Sequence, residues 1–381
     1  MPTIPAAKSN IWIKRLILLA IFFALVRNLF PPNAFTATVL IFDYELGIVR
    51  RGLVGEIGNL FWGDTVSKAE VFIASALVTI VGVVSISALF WRNLAGHETG
   101  LRLLLVIVTC FAFDAIISAT GYLDLIILAL LCAAFLPSPR HVFGLICRIV
   151  AVALAVIVHE VALPYVAVFL LFDLWHARRG FLALLPIGAA LAIFGGLTVA
   201  GQLSPDQAQT YIAHIEAKSE FTAEPDATAV VTRTLGDNMA MMAEKRRQLD
   251  YRSWVVLDGI PLALLSFWVI WLNLKVLNPR ATLLDRLLLL GAIVAPLSLN
   301  VIAFDIVRFG AMSVLIGFFT LLVQVRDDPE AWDRLRNRLT WPHVVILLVI
   351  NLNVSVNQMN TGDAHEFQVP WALLQQFDWV P

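Results

Sequence analysis

Apolar runs recur along the whole chain, separated by short polar breaks, and most approach the length that crosses a bilayer. The first follows Lys8, Lys14 and Arg15 and continues to about Leu29. The others lie near 71–91, 103–119, 122–137, 142–158, 161–175, 181–201, 254–274, 287–304, 309–325 and 343–356. A lipid core without water admits only helices or closed barrels, because every backbone amide must be satisfied internally. Period-2 strands of barrel type are absent from the sequence. The pattern predicts an all-α, polytopic transmembrane bundle of about eleven helices, forming one membrane domain over residues 1–381. Several runs hold only about 16–18 residues, the low end for a hydrocarbon core of about 30 Å, so some pairs could be re-entrant hairpins and the count carries a margin of about one or two. Composition agrees: 59% of residues are apolar and 14% charged, against roughly 45–50% and about 25% in soluble domains.

The opening run has the charged start of a signal peptide, but it ends in Arg27 and Pro31-Pro32 rather than at a small-residue cleavage site. It therefore reads as an uncleaved first helix with a cytoplasmic N-terminus. Alternation then places the short basic breaks on the same side: Arg92 and Arg102, Pro137 to His141, His176 to Gly180, Lys275 to Arg286, and Arg326 to His343. Trp91, Trp175, Trp254 and Trp341 fall at span ends, where amphipathic rings meet headgroups. Three longer pieces become extracytoplasmic: a first loop at 31–70, a large loop at 202–253 and a tail at 357–381. The large loop has helix-like spacing over Tyr211 to Lys218 and a basic run Lys245-Arg246-Arg247, and reads as a helical cap or lid.

The net charge of −1 offers no basic field for nucleic acid. Cys110, Cys132 and Cys147 lie in apolar runs without metal-ligand or disulfide spacing and read as packing residues. Phosphate-cradling GxGxxG and GxxxxGK[ST] sequences and a GxSxG elbow are absent, which weakens nucleotide-driven and hydrolase readings.

Ionisable groups at membrane depth are costly unless paired or wetted, so their positions carry information. The first outer loop holds Asp43, Glu45, Arg50 and Arg51 within nine residues, framed by Gly47, Gly52 and Gly55, and its apolar neighbours argue for a segment lying in the interface. Asp124 follows Thr120-Gly121-Tyr122-Leu123 at an outer turn, and Asp114 lies in the preceding run. His159-Glu160 sits between two apolar runs; Leu163 stands where a HExxH zinc motif would need its second histidine. Asp305 and Arg308 share a face at i,i+3 and can pair with each other. Each group alone also fits a structural tie or a solvated loop. Jointly they predict one polar cavity on the outer side.

Carboxylates for proton transfer and arginine forks for phosphate suit a reaction on a lipid-linked phosphosugar. The acidic pair Asp43-Tyr44-Glu45 in the first outer loop, many helices and a larger outer loop together resemble the GT-C class of integral membrane glycosyltransferases. The outer arginines and large loop are also similar to Wzy-type O-antigen and exopolysaccharide polymerases. The resemblance is topological over most of the chain, and the large soluble C-terminal domain common in GT-C enzymes is missing. It implies a catalytic acid in the first outer loop and a cell-envelope role in a bacterial inner membrane. The expected donor is a polyprenyl-phosphate or polyprenyl-diphosphate sugar and the partner a glycan acceptor. Asp43 is the expected general base, with Glu45 or Glu160 second; Arg50, Arg51 and Arg308 would stabilise phosphate, and Tyr122, Asp124 and His159 would orient sugar hydroxyls. The carboxylates could hold a divalent metal, although no spacing specifies one. The rival is a transporter or flippase for an anionic or lipid-linked substrate, whose paired repeats and broken helices are not legible here. A noncatalytic scaffold would leave the membrane-depth acids unexplained.

Overall fold

The computed structural model describes residues 6–63, 65–248, 255–303 and 305–353. Trp254, the end of the large loop and the tail at 357–381 lie outside the described residues. The described chain is helical, with no strand and a single isolated bridge between Val66 and Ser219. The first helices are α1 (Ala6–Arg27), α2 (Ala34–Leu40), α3 (Leu53–Gly58) and α4 (Lys68–Leu94). α5 (Glu98–Thr109), α6 (Phe111–Ser118), α7 (Leu123–Phe135) and α8 (Val142–Val158) follow. A π-turn at Leu163–Ala167 opens α9 (Val168–His176), and a 3-10 turn at Gly180–Leu184 opens α10 (Leu185–Ala200). The large loop folds into α11 (Pro205–Lys218), α12 (Pro225–Thr228) and α13 (Leu235–Lys245). The last elements are α14 (Ile260–Val276), α15 (Leu283–Val294) with a 3-10 extension to Val301, α16 (Ile306–Asp327), α17 (Glu330–Arg338) and α18 (Trp341–Asn353).

Every apolar run is helical where it is described. Among the described residues, five helical stretches are long and apolar enough to cross a membrane: Lys68–Leu94, Gly180–Ala200, Val255–Val276, Leu283–Val301 and Ile306–Asp327. A sixth forms if α5 and α6, bent by 48°, make one broken span. α7 has 13 residues, a rise of about 20 Å at about 1.5 Å per residue, which is too short to cross about 30 Å alone. Apolar run length is thus a poorer guide to spanning length than to helicity, because caps and breaks cut the runs. Cys110 is one such break: its extended backbone ends α5, and its thiol caps Phe113 of α6.

α16 is the central helix, with 89% of its most apolar stretch buried, whereas the stretch around α10 is only 17% buried and faces outward. Two polar devices lock α16 in place. Asn273 of α14 donates to the Gly317 carbonyl at 2.9 Å and accepts from Thr320 at 2.8 Å and Gln324 at 2.7 Å. Gly317 permits this contact, since a Cβ there would lie 2.2 Å from Val269 Cγ1. Small residues and shared hydrogen bonds replace the hydrophobic drive that lipid cannot supply. At the end of α16, Arg326 reaches Asp173 of α9 at 2.7 Å, and Asp173 also takes fully buried Arg148 of α8 at 2.6 Å.

The helices define two ends. The described parts of the connections that follow α1, α6, α8 and α10 and precede α16 meet at one, where Arg51 bonds Glu160, Arg308 pairs with Asp124 and Tyr211 bonds Asp43. The other gathers the breaks near 95, 140, 178, 280 and 330, where Arg179 donates to the Arg140 carbonyl and Trp175 to Asp285. Trp91 and Trp175 close α4 and α9 at this second end, and Trp341 opens α18 there.

Asp173→Leu should destabilise the fold by about 3–5 kcal/mol, because it strands the Arg148 charge in the interior. Arg148→Met combined with Asp173→Leu should recover most of that loss, since Arg326 retains Asp327 at 2.6 Å. Thermal unfolding of the wild type and the two variants in detergent checks this ordering.

Candidate functional site

The first outer loop is tightly folded. Asn33 caps α2 by accepting from Thr36 N–H at 2.8 Å. Glu56 of α3 accepts from Tyr44 N–H at 3.0 Å. A Cβ on Gly55 would sit 2.1 Å from the Phe42 carbonyl oxygen, so only glycine allows that approach. Arg51 holds φ at +65°, a left-handed conformation that costs a non-glycine residue about 1–3 kcal/mol. Its guanidinium is fixed by a two-point contact with Glu160, at 2.7 and 3.3 Å.

This folding separates the charges that the sequence places side by side. Asp43 and Glu45 meet α11. Asp43 is fully buried, with an ion pair to Lys218 and His214 Nε2 at 3.3 Å on the same carboxylate oxygen. Its N–H donates to the Tyr211 hydroxyl at 2.9 Å, which donates back to the Asp43 carbonyl at 3.1 Å. Asn59 bonds both Asp43 and Lys218. Burial pushes the Asp43 carboxyl up, but Lys218, His214 and the Glu45 N–H outweigh it and hold the group below its ordinary value. Asp43, Glu45 and His214 could supply three metal-ligand atoms, all within 4.8 Å of one another. The Lys218 ammonium already neutralises the central carboxylate, so a metal ion would have to displace it. The donor set does not fit a resident metal well.

Arg50 and Arg51 turn instead toward a cavity of about 290 Å3. Its wall carries Arg50, Arg51, Arg233, Lys245 and Arg308, opposed by Glu160, Asp226 and Asp305, with Phe35 and Tyr122 as aromatic surface. Arg50 donates to the Arg233 carbonyl at 3.2 Å, which ties the first loop to the large loop. α13 covers one side through Asn238 and Met241. Beyond its end, Arg246 grips the Asn300 and Val301 carbonyls at 3.0 and 3.3 Å. Asp305 caps α16 by accepting from Arg308 N–H at 3.1 Å, and its carboxylate meets the Arg308 guanidinium at 2.9 Å.

Asp124 and His159 lie just behind this wall. Asp124 faces Arg308 at 3.4 Å and accepts from the Tyr165 hydroxyl. The Tyr122 ring lies 5.4 Å from Arg308 and stacks with Phe35 at 6.3 Å. His159 is buried with Nδ1 3.1 Å from Glu160; burial and the Arg51 charge lower its pKa, favouring the neutral ring. Burial would raise Glu160, yet Arg51 and His159 hold it well below the usual carboxylate range. Asp305 goes the other way: burial pushes it up to about 6 against the pull of Arg308. Asp114 is outside this group, bonded to Asn28 at 2.9 Å.

The structure therefore gathers Arg50, Arg51, Glu160, Tyr122, Asp305 and Arg308 around one cavity and sets Asp124 and His159 against it. The expectation of a single site including Asp43 and Glu45 is corrected: neither lines this cavity, because α11 captures their charges. Sequence reasoning missed His214, Lys218, Arg233, Asp226 and Phe35, although the helix-like spacing of 211–218 located the element that carries the first two.

Asp43→Asn should cost about 3 kcal/mol by leaving Lys218 without its counter-charge. A carboxylate held below its unfolded value stabilises fully above about pH 4, and that contribution is lost as pH falls through the folded value. Melting temperature against pH should accordingly drop on the acid side in the wild type and much less in Asp43→Asn.

Compared with protein-family models, curated proteins and solved structures, the chain matches none.

Proposed function

We propose that this chain is an integral membrane glycosyltransferase or polysaccharide polymerase. It uses a polyprenyl-phosphate or polyprenyl-diphosphate sugar as donor and a glycan hydroxyl as acceptor. The observation that carries this reading is the cavity itself: five cationic side chains and three carboxylates converge on one space with two aromatic rings, at one end of an apolar bundle. The N-terminus is then cytoplasmic, the short basic breaks lie inside, and the cavity faces the extracytoplasmic side, in accord with the positive-inside rule. A bacterial inner membrane is the setting that supplies such donors.

In this reaction the acceptor oxygen bonds to the anomeric carbon as the sugar–phosphate bond breaks. The electron pair leaves with the lipid phosphate, and the acceptor proton passes to a protein carboxylate. Arg50, Lys245 and Arg233, which also reaches Asp226 at 3.5 Å, face the departing charge, where donors already in place need little reorganisation. Arg51 and Arg308, each held by a carboxylate, shape the wall, and Phe35 and Tyr122 offer a sugar-stacking face. The base falls to Asp305 rather than Asp43. A base works best with a pKa near the working pH, and Asp305 is pushed up to about 6 while Asp43 is held low by Lys218. Glu160 is likewise held low and acts as a positioning residue for Arg51.

A second reading, a transporter or flippase, is favoured by one observation: the 48° break at Cys110 between α5 and α6, since transporters use discontinuous helices near the midplane. Release of lipid phosphate coupled to glycan growth distinguishes the transferase.

Sugar transfer per folded molecule should fall about 10²-fold or more in Asp305→Asn. The wild-type rate should decline as pH drops through about 6, where Asp305 takes up its proton. That acid limb should vanish from the residual activity of Asp305→Asn. Normal turnover by well-folded Asp305→Asn would remove Asp305 as base. Absence of turnover by the wild type with any phosphate-linked donor would favour the transporter.

A further inference from the structure

At the end of the bundle opposite the candidate site, a larger cavity of about 440 Å3 opens among the C-terminal ends of α4, α7 and α16. Three guanidinium groups line it, from Arg92, Arg140 and Arg326, together with Asn93 and Ser138. The acid in its wall is Asp327, which Arg326 already engages at 2.6 and 3.0 Å. Among the described residues, neither the Arg92 nor the Arg140 guanidinium has a carboxylate partner.

Helix C-termini carry partial negative charge, and a basic side chain in the last turn balances it. That accounts for Arg92 on α4 and Arg326 on α16. It does not account for Arg140, which sits on the connection between α7 and α8 and is held there by design of its neighbours. Arg148 donates to the Pro137 carbonyl at 3.1 Å, and Arg179 to the Arg140 carbonyl at 3.2 Å. Gly144 lets the Ser138 carbonyl approach so closely that a Cβ would sit 1.9 Å from its oxygen. A buried ion network thus fixes the loop that carries this unpaired cation to the cavity.

On one side the cavity meets exposed apolar side chains. Leu136 in the cavity wall is 53% exposed, and Val142 and Phe143 on the adjoining start of α8 are each 67% exposed. Such side chains face acyl chains in a membrane-spanning bundle. A ligand with one phosphate and attached hydrocarbon satisfies both halves: the anion between arginines, whose planar forks match phosphate oxygens, and the chains along Leu136 and Phe143.

We propose that this cavity binds the phosphate headgroup of an anionic glycerophospholipid, gripped by Arg92 and Arg140 and bounded by Arg326. Basic pockets between membrane helices are suited to such headgroups, since each cation near an anionic surface adds to attraction. The assignment is independent of the chemistry at the other end.

The test is lipid retention by the purified full chain in mild detergent, read by native mass spectrometry with phosphatidylglycerol and phosphatidylcholine in competition. Wild type should retain phosphatidylglycerol over phosphatidylcholine by about tenfold, and Arg92→Gln combined with Arg140→Gln should reduce that preference to about twofold or less. Both arginines are exposed, so the melting temperature should fall only slightly, by the loss of the Arg92 charge at the end of α4. Arg338→Gln, an exposed charge outside the cavity, should leave the preference intact. Equal retention of the two lipids by wild type, or an undiminished preference in the double variant, would overturn the proposal. Binding of inorganic phosphate that depends on Arg92 and Arg140, without preference between the lipids, would make this a free-phosphate site and equally defeat the lipid assignment.

Discussion

A charge enclosed in an apolar bundle must find a partner within reach, and that requirement organises both ends of this protein. Arg148 has no exposed surface and meets Asp173, which also takes Arg326. At the other end, Arg51 is bound to Glu160, Arg308 to Asp305 and Asp124, and Lys218 to Asp43. Removing one member of such a pair leaves a desolvated charge and costs several kcal/mol. The loops are therefore as firmly specified as the helices. In the middle of the bundle the same requirement is met by neutral groups, with Asn273 bridging Gly317, Thr320 and Gln324.

Helical class was legible because lipid leaves few alternatives and the apolar runs are long. Span number was not, because run length does not reveal a cap. The break at Cys110 lies inside the run 103–119 with no proline or glycine to mark it, and α7 stops at Phe135 although the apolar run goes on to Leu136 and Pro137. The pairing of Asp305 with Arg308 follows from their spacing on one helical turn. That Asp43 and Arg50 part company could not be read locally. Asp43 meets His214 and Lys218 across 171 and 175 residues of sequence, and no local pattern encodes such a contact.

That separation changes the chemistry assigned to the carboxylates. A carboxylate under a lysine ammonium is a good strut and a poor proton acceptor, and Asp43 joins the first loop to α11 in that way. Asp305 lies in the cavity wall beside Arg308, yet burial dominates and leaves its affinity for a proton near that of a neutral-pH base. The large loop completes the site from the other side, because Arg233 and Lys245 come from it and the Arg233 carbonyl receives Arg50. A cavity built from two loops and three helix ends can admit a headgroup while the bundle keeps its lipid-facing walls unchanged.

The central claim is that the cationic cavity opens to the cell exterior and receives a lipid-linked phosphate. Asn238→Cys, combined with Cys147→Ser to remove the one partly exposed native thiol, places a thiol in the cavity wall, while native Cys110 and Cys132 are buried. The measurement is the rate at which a membrane-impermeant maleimide labels this cysteine in intact cells, and then in nanodiscs with added polyprenyl phosphate or polyprenol. The expected result is labelling from outside, slowed by polyprenyl phosphate and unaffected by polyprenol. A thiol inaccessible in intact cells but reactive in opened ones, or labelling slowed equally by both lipids, would contradict it.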